Sequence, residues 1–151
     1  MEINSICVYC GSSPGRQPEY VQAAQALGTE IGKRGIQLVY GGARVGLMGE
    51  VARAALTAGG KVIGIMPKAL VDQEIACVSE IELRVVNDMH ERKAAMADLS
   101  DGFIAMPGGF GTFEEFCEIL TWGQLGFHVK PMGLLNVAGF YDPLLALFDH
   151  A

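Results

Sequence analysis

Short apolar runs rich in β-branched residues alternate along the chain with stretches of helical periodicity. Runs at 3–9, 36–40, 61–66, 81–86, 102–106 and 132–135 read as strands. Most are apolar on both faces, the pattern of a parallel sheet covered by helices on each side. The stretches between them, 18–33, 47–58, 89–99, 112–125 and 140–151, read as helices. In the first, Val21, Ala24, Leu27 and Ile31 follow a 3-3-4 spacing, and Pro18 sits where a first helical turn tolerates proline. The alternation predicts an α/β fold, a Rossmann-like doubly wound parallel sheet with helices on both faces. Its ligand crevice is expected beyond the carboxyl ends of the strands. Segment 67–79 breaks the rhythm and is expected to arch over that crevice. Leu144, Leu145, Leu147 and Phe148 are still apolar where the sequence stops, which leads us to expect a further strand or helix beyond Ala151.

The 151 residues, half of them apolar, suit one nucleotide-binding α/β domain over 1–151 with a single buried core. A formal charge of −6 argues against nucleic acid as the main partner, since counterion-driven binding needs a basic face. No apolar run approaches the roughly 20 residues of a membrane span, and the N-terminus lacks a signal-peptide pattern, so a cytoplasmic protein is expected. Four cysteines include the pair Cys7 and Cys10. This C-x-x-C closes a strand instead of opening a helix, and no second pair completes a zinc site, so a buried structural role is the better reading.

Three glycine-rich loops follow strands at the crevice edge: 10–15, 41–46 with Gly41 and Gly42, and 107–112 with Gly108, Gly109 and Gly111. Glycine lets backbone N–H groups approach a phosphate, and a helix N-terminus adds partial positive charge. Neither G-x-G-x-x-G in the first βα turn nor a P-loop signature is present, which points to a mononucleotide. Thr112-Phe113-Glu114-Glu115 has the spacing of a capping box, with Glu115 bonding back to Thr112. Against that, a carboxylate beside an anion site repels phosphate. Glu114 or Glu115 facing a developing cation is the alternative, and cleavage of an N-glycosidic bond produces such a cation at the ribosyl centre. Basic Arg92 and Lys93 open a helix where the dipole disfavours them unless an acid or anion faces them; a solvated charge run is the plain alternative. Met48, Met89 and Met106 lie beside the loops, where they are candidates for a base pocket against the plainer reading of ordinary core packing, and the three histidines show no metal-ligand spacing.

Pro-Gly-Gly-Phe-Gly-Thr-Phe-Glu-Glu at 107–115 resembles the P-G-G-x-G-T-x-x-E signature of the LONELY GUY (LOG) family of cytokinin riboside 5′-monophosphate phosphoribohydrolases. Tyr40-Gly41-Gly42, Gly46-Leu47-Met48-Gly49, Met89-His90-Glu91-Arg92-Lys93 and Thr121-Trp122-Gly123-Gln124-Leu125-Gly126 extend the likeness along the chain. The resemblance implies Arg92 and Glu115 as the catalytic pair and a phosphate grip at 109–112, with Phe110, Phe113 and Glu114 in the same substrate-binding stretch. It also implies ligand contacts from Glu74, Lys93 and Thr121, and a homodimer whose subunits contribute to each other's sites. Lysine decarboxylation, also attached to such proteins, finds no support, because no pyridoxal-phosphate lysine motif is present. The expected activity is hydrolysis of an N6-substituted AMP, or of AMP itself, to free base and ribose 5-phosphate without metal or organic cofactor. The phosphate is expected over Gly109, Gly111 and Thr112, with the base toward Met89 and 67–79. The rivals are another nucleoside 5′-monophosphate nucleosidase and a non-catalytic nucleotide or cofactor carrier of the same fold.

Overall fold

A computed structural model describes residues 2–71 and 80–151. Its strands are β1 (Ser5–Tyr9), β2 (Gln37–Tyr40), β3 (Val62–Pro67), β4 (Glu82–Val86), β5 (Gly102–Ala105) and β6 (Met132–Leu134), in one sheet of order β4-β3-β2-β1-β5-β6. Every pairing is parallel, with Ile6 opposite Leu38 on one side of β1 and opposite Gly102 on the other. The order therefore reverses at β1, and the crevice between the carboxyl ends of β1 and β5 is the topological switch point.

The helices are α1 (Pro18–Lys33), α2 (Gly46–Thr57), the single turn α3 (Lys68–Val71), α4 (Met89–Asp98), α5 (Phe110–Gln124) and α6 (Asp142–His150). The period-two alternation of the strands divides the core into two layers. Cys7, Tyr9, Val39, Ile63, Phe103 and Ala105 face α4, α5 and α6, whereas Val8, Cys10, Leu38, Tyr40 and Val62 face α1 and α2. Central strands buried on both sides need apolar residues at every position, which is why their alternation is invisible in the sequence. The two cysteines of the C-x-x-C pair thus fall in opposite layers, both buried and free, and cannot share a metal or a disulfide.

The expected elements are present, with two corrections. Helix α5 begins at Phe110, two residues before the expected Thr112, with extended Gly109 as its N-cap and no side-chain cap. Thr112 therefore lies inside the first turn, and Glu115 is too far along to close a capping box on the helix start. The irregular segment is shorter than expected, because Pro67 ends β3 and 68–71 form a helical turn. Positions 72–79, and with them the expected arch, lie outside the described residues.

Residues near position 140 brace the loop after β5. The Tyr141 hydroxyl donates to the Met106 carbonyl at 2.5 Å, and the Tyr141 amide donates to Asn136 Oδ1. Phe113, Phe140 and Tyr141 pack ring against ring beneath the start of α5.

Candidate active site

Of the helices that start on the crevice edge, α2, α4 and α5 wall a common cleft, and their N-termini differ in what occupies their free N–H groups. In α2 the Leu47 and Met48 amides donate to the Ser13 and Gly11 carbonyls of the loop after β1. In α4 the Asp88 side chain accepts from the Glu91 amide, and Glu91 returns a carboxylate to the Asn87 amide. In α5 no side chain caps the first turn. A Cβ at Gly109 or Gly111 would meet nothing within 4 Å, so backbone lies bare to the cleft at both positions. Of the three, α5 alone offers an incoming anion uncommitted donors and a positive dipole end together.

A cleft of about 260 Å³ runs past this helix start, walled by Cys10, Ser12, Met48, Met89, Arg92, Gly109, Gly111, Thr112, Glu114 and Glu115. The catalytic pair expected from the resemblance thus meets across one cavity, Arg92 from α4 and Glu115 from α5. Arg92 is 6% exposed, so the solvated reading fails for it. Its Nε donates to the Ile65 carbonyl at 2.9 Å and its Nη2 to the Gly41 carbonyl at 2.5 Å, with Nη1 3.8 Å from the Met89 sulfur. The carbonyls of Gly41, just past β2, and Ile65, in β3, are therefore the electronegative partners that permit arginine in the first turn of a helix. A Cβ on Gly41 would lie 2.3 Å from Nη2, which explains the glycine there.

Glu115 is partly buried in the wall, and burial pushes its carboxyl from the ordinary 4.5 up to about 7. The Arg92 charge opposes that rise, Glu114 adds to it, and Lys93 and Glu118 act more weakly in opposite directions. Near neutrality the group is poised between acid and carboxylate, the condition for proton transfer at working pH.

The other expected residues divide by position. Gly108 lies outside the cleft wall and, with Gly109, lines an adjoining cavity of about 320 Å³ shared with Tyr20, Leu47 and Phe140. Gly42 adopts φ +88 behind the cleft, and Phe113 packs into the core layer of α4 to α6. Phe110 is 91% exposed at the first position of α5, outside the cleft wall. Lys93 is turned away from the cleft, bonded to Glu114 and Glu118 at 3.0 and 2.8 Å. Thr121 lies three turns along α5, its hydroxyl donating to the Cys117 carbonyl, outside this cleft. Glu74 lies outside the described residues. The sequence reading missed Glu118, legible only as the i+4 neighbour of Glu114, and the cap Asp88, legible as Asp88-x-x-Glu91. Two larger cavities, about 390 and 560 Å³, flank the far end of α5 around His128 and Lys130. There His128 is held by the Ile119 carbonyl and the Lys130 amide.

Comparison with known proteins gives this site a context. A family model described as possible lysine decarboxylase matches residues 48–151. The chain is 58% identical over 144 residues to a protein of Oryza sativa subsp. japonica named probable cytokinin riboside 5′-monophosphate phosphoribohydrolase LOGL1, covering 95% of this chain and 65% of that one. It is 53% identical to cytokinin riboside 5′-monophosphate phosphoribohydrolase LOG1 of Arabidopsis thaliana, covering 100% of this chain and 73% of that one. The chain belongs to the LOG family. It spans 65% and 60% of the length of the first two rice LOG relatives it matches. Among solved structures, a molybdenum cofactor-binding protein from Rippkaea orientalis aligns with a TM-score of 0.75 at 28% identity, over 99% of this chain and 86% of that one. The Moco carrier protein of Chlamydomonas reinhardtii, at 23% identity and a TM-score of 0.72, shares the fold. The decarboxylase description sits poorly with the cleft, since no described residue in its wall is a lysine able to form a Schiff base.

Proposed function

We propose that this chain hydrolyses the N-glycosidic bond of cytokinin riboside 5′-monophosphates, and of AMP as a further substrate, releasing the base and ribose 5-phosphate. The observation that carries the proposal is Glu115, a partly buried carboxyl poised near neutrality and set across a small cleft from Arg92, one and a half turns beyond an uncapped helix start. The names of the LOG relatives support the substrate class. The phosphate sits on the open first turn of α5 at Gly109, Gly111 and Thr112. Glu115 lies about 7 Å further along the helix axis, comparable to the span from a nucleotide's phosphorus to its anomeric carbon. As a carboxylate it stabilises the oxocarbenium-like centre and takes a proton from the attacking water. Arg92, anchored on two backbone carbonyls, favours the ionised form of Glu115 and adds positive charge beside the nucleotide. Met48 and Met89 give the base a soft apolar wall. Water is the only co-reactant, and the proposed reaction balances without an oxidant, reductant or group carrier.

The proposal includes a homodimer. Leu120, Leu125, Phe127 and Val129 are exposed around the end of α5, a patch suited to a second copy, and Thr121 lies beside it and would serve the partner's site. No described helix is long and apolar enough to cross a membrane, and a cytosolic location belongs to the same proposal. Likeness to the Rippkaea molybdenum cofactor-binding protein favours one second reading, that this chain binds a nucleotide or cofactor and does not turn it over. Incubation with isopentenyladenosine monophosphate and with AMP, followed by chromatography of the freed bases, tests both. Base release supports the hydrolase, and tight binding without release supports the carrier.

A further inference from the structure

Glu115, Glu118 and Trp122 form a stripe along α5 at positions i, i+3 and i+7, one face of the helix. Helical side chains lean toward the N-terminus of their helix, so the Trp122 indole is directed back toward the level of Glu118. All three residues line a pocket of about 10 Å³, whose remaining walls are Tyr9 of β1, Lys93 of α4 and Ile119. That volume admits one water molecule and nothing larger. Five of the six lining side chains carry polar groups: two carboxylates, an ammonium, a phenol and an indole N–H. Trp122 is half-buried, and its N–H meets no protein acceptor among the described residues. Glu115 thus borders two spaces, the nucleotide cleft in front and this pocket behind.

We infer that the pocket is a one-water site through which Trp122 acts as a positioning residue for Glu115. This rests on the hydrolase reading above and deepens it. The water donates one proton to the Glu115 oxygen turned away from the cleft and the other to a Glu118 oxygen, and it accepts from the indole N–H. Held from behind, the Glu115 carboxylate keeps its second oxygen aimed at the anomeric centre. The same bond solvates the ionised form and so opposes the burial that raises this carboxyl. Trp122 forms no part of the cleft wall and acts through the water alone. A ligand contact from Lys93 is compatible with the arrangement, since its ammonium has three donors and the bonds to Glu114 and Glu118 use two. The titratable and charged groups around Glu115 are Arg92 and Lys93 from α4, Glu114 and Glu118 from α5, and Tyr9, Cys7 and Cys10 from β1. Asp98, Asp101, His128 and Lys130 border Trp122 across the neighbouring cavity of about 390 Å³.

Trp122 is the only tryptophan of the chain, so one indole resonance and one site of analogue incorporation report on the pocket. In nitrogen-15 NMR the indole N–H should shift with pH about a midpoint near 7, and the shift should vanish in Glu115→Gln while surviving in His128→Gln. A high-resolution crystal structure of the full chain should place one water within hydrogen-bonding distance of Glu115, Glu118 and the indole nitrogen. Biosynthetic replacement of Trp122 by benzothienylalanine keeps the ring shape and removes the N–H. It should lower kcat by about fivefold to tenfold, with KM within about twofold of the parent. The carbon-13 titration of the Glu115 carboxyl should move up by about half a pH unit in the same protein. A pocket without that water, an indole resonance indifferent to Glu115, or an analogue-bearing chain whose kcat and carboxyl titration match the parent would overturn the inference. If the analogue-bearing chain folds poorly, the first two measurements, made on the parent and its Glu115→Gln variant, decide the matter. If the parent releases no base, the hydrolase reading fails by itself, and the crystal structure and the indole titration still decide the water site.

Discussion

Replacing Glu115 with glutamine should abolish base release and at the same time stabilise the fold. A carboxyl whose folded pKa is raised weakens the folded state when ionised. The penalty is absent below the unfolded value of 4.5, grows as pH rises, and is complete above about 7. At about 1.4 kcal/mol per pH unit the full rise corresponds to about 3 kcal/mol, and partial solvation of the group reduces this to about 2 kcal/mol. For a chain of this length that is a gain of roughly 4–8 °C in Tm. Urea denaturation of parent and Glu115→Gln at pH 4 and pH 8.5 measures the difference, which should be near zero at the first and about 2 kcal/mol at the second. Base release, assayed in parallel, should fall by at least about a hundredfold while nucleotide binding persists. A variant that loses about 1 kcal/mol at every pH and keeps its activity would mark Glu115 as a helix-stabilising group and refute the argument.

Arg92→Lys should lower kcat/KM by about a hundredfold, because an ammonium cannot reach the Ile65 and Gly41 carbonyls together while keeping a charge on the cleft; steady-state kinetics with near-parent values would contradict this. Gly109→Ala should fold with stability within about 0.5 kcal/mol of the parent, since its backbone is extended and the new methyl meets open space. That methyl would occupy the anion site, so isothermal titration should show AMP binding weakened by about tenfold or more. Gly41→Ala places its methyl against Arg92 instead, and should lose activity along with stability in the same pair of assays. Tyr141→Phe leaves the buried Met106 carbonyl without its donor, at a cost of about 1–2 kcal/mol in urea denaturation, and should also raise KM by loosening the loop that follows.

The layered fold was legible because strand and helix periods differ, and the six apolar runs at 3–9 through 132–135 each became a strand of the sheet. Boundaries were less legible where local and tertiary signals compete. Thr112 carries the sequence mark of a helix start, but α5 begins at Phe110, where the Phe113–Gly109 backbone bond and the packing of Phe113 on Phe140 and Tyr141 set the first turn. Glycine-rich loops identified the crevice edge but could not rank the helix starts along it. Which amides remain open depends on long-range partners such as Gly11 and Ser13 for α2, and these have no local signature. Likewise the dipole argument flagged Arg92 and Lys93 as unusual without revealing their partners. One is held by the carbonyls of Gly41, just past β2, and Ile65, within β3, the other by glutamates 21 and 25 positions away. Both pairings arise from the order of strands and helices, a property of the assembled sheet.

The Tyr141 hydroxyl on the Met106 carbonyl gives the glycine-rich loop after β5, the proposed phosphate site, a remote dependence. Residues 107–109 have little side-chain mass with which to stiffen themselves, so their rigidity is supplied by a phenol 35 positions downstream. During synthesis or refolding the loop can reach its working shape only after the 136–141 turn has docked, although every residue that would touch the phosphate precedes it in the chain. Competence to bind should therefore appear late, with the closing of that turn, and loosening of the 136–141 region should be felt first as weakened nucleotide affinity and only afterwards as loss of the sheet.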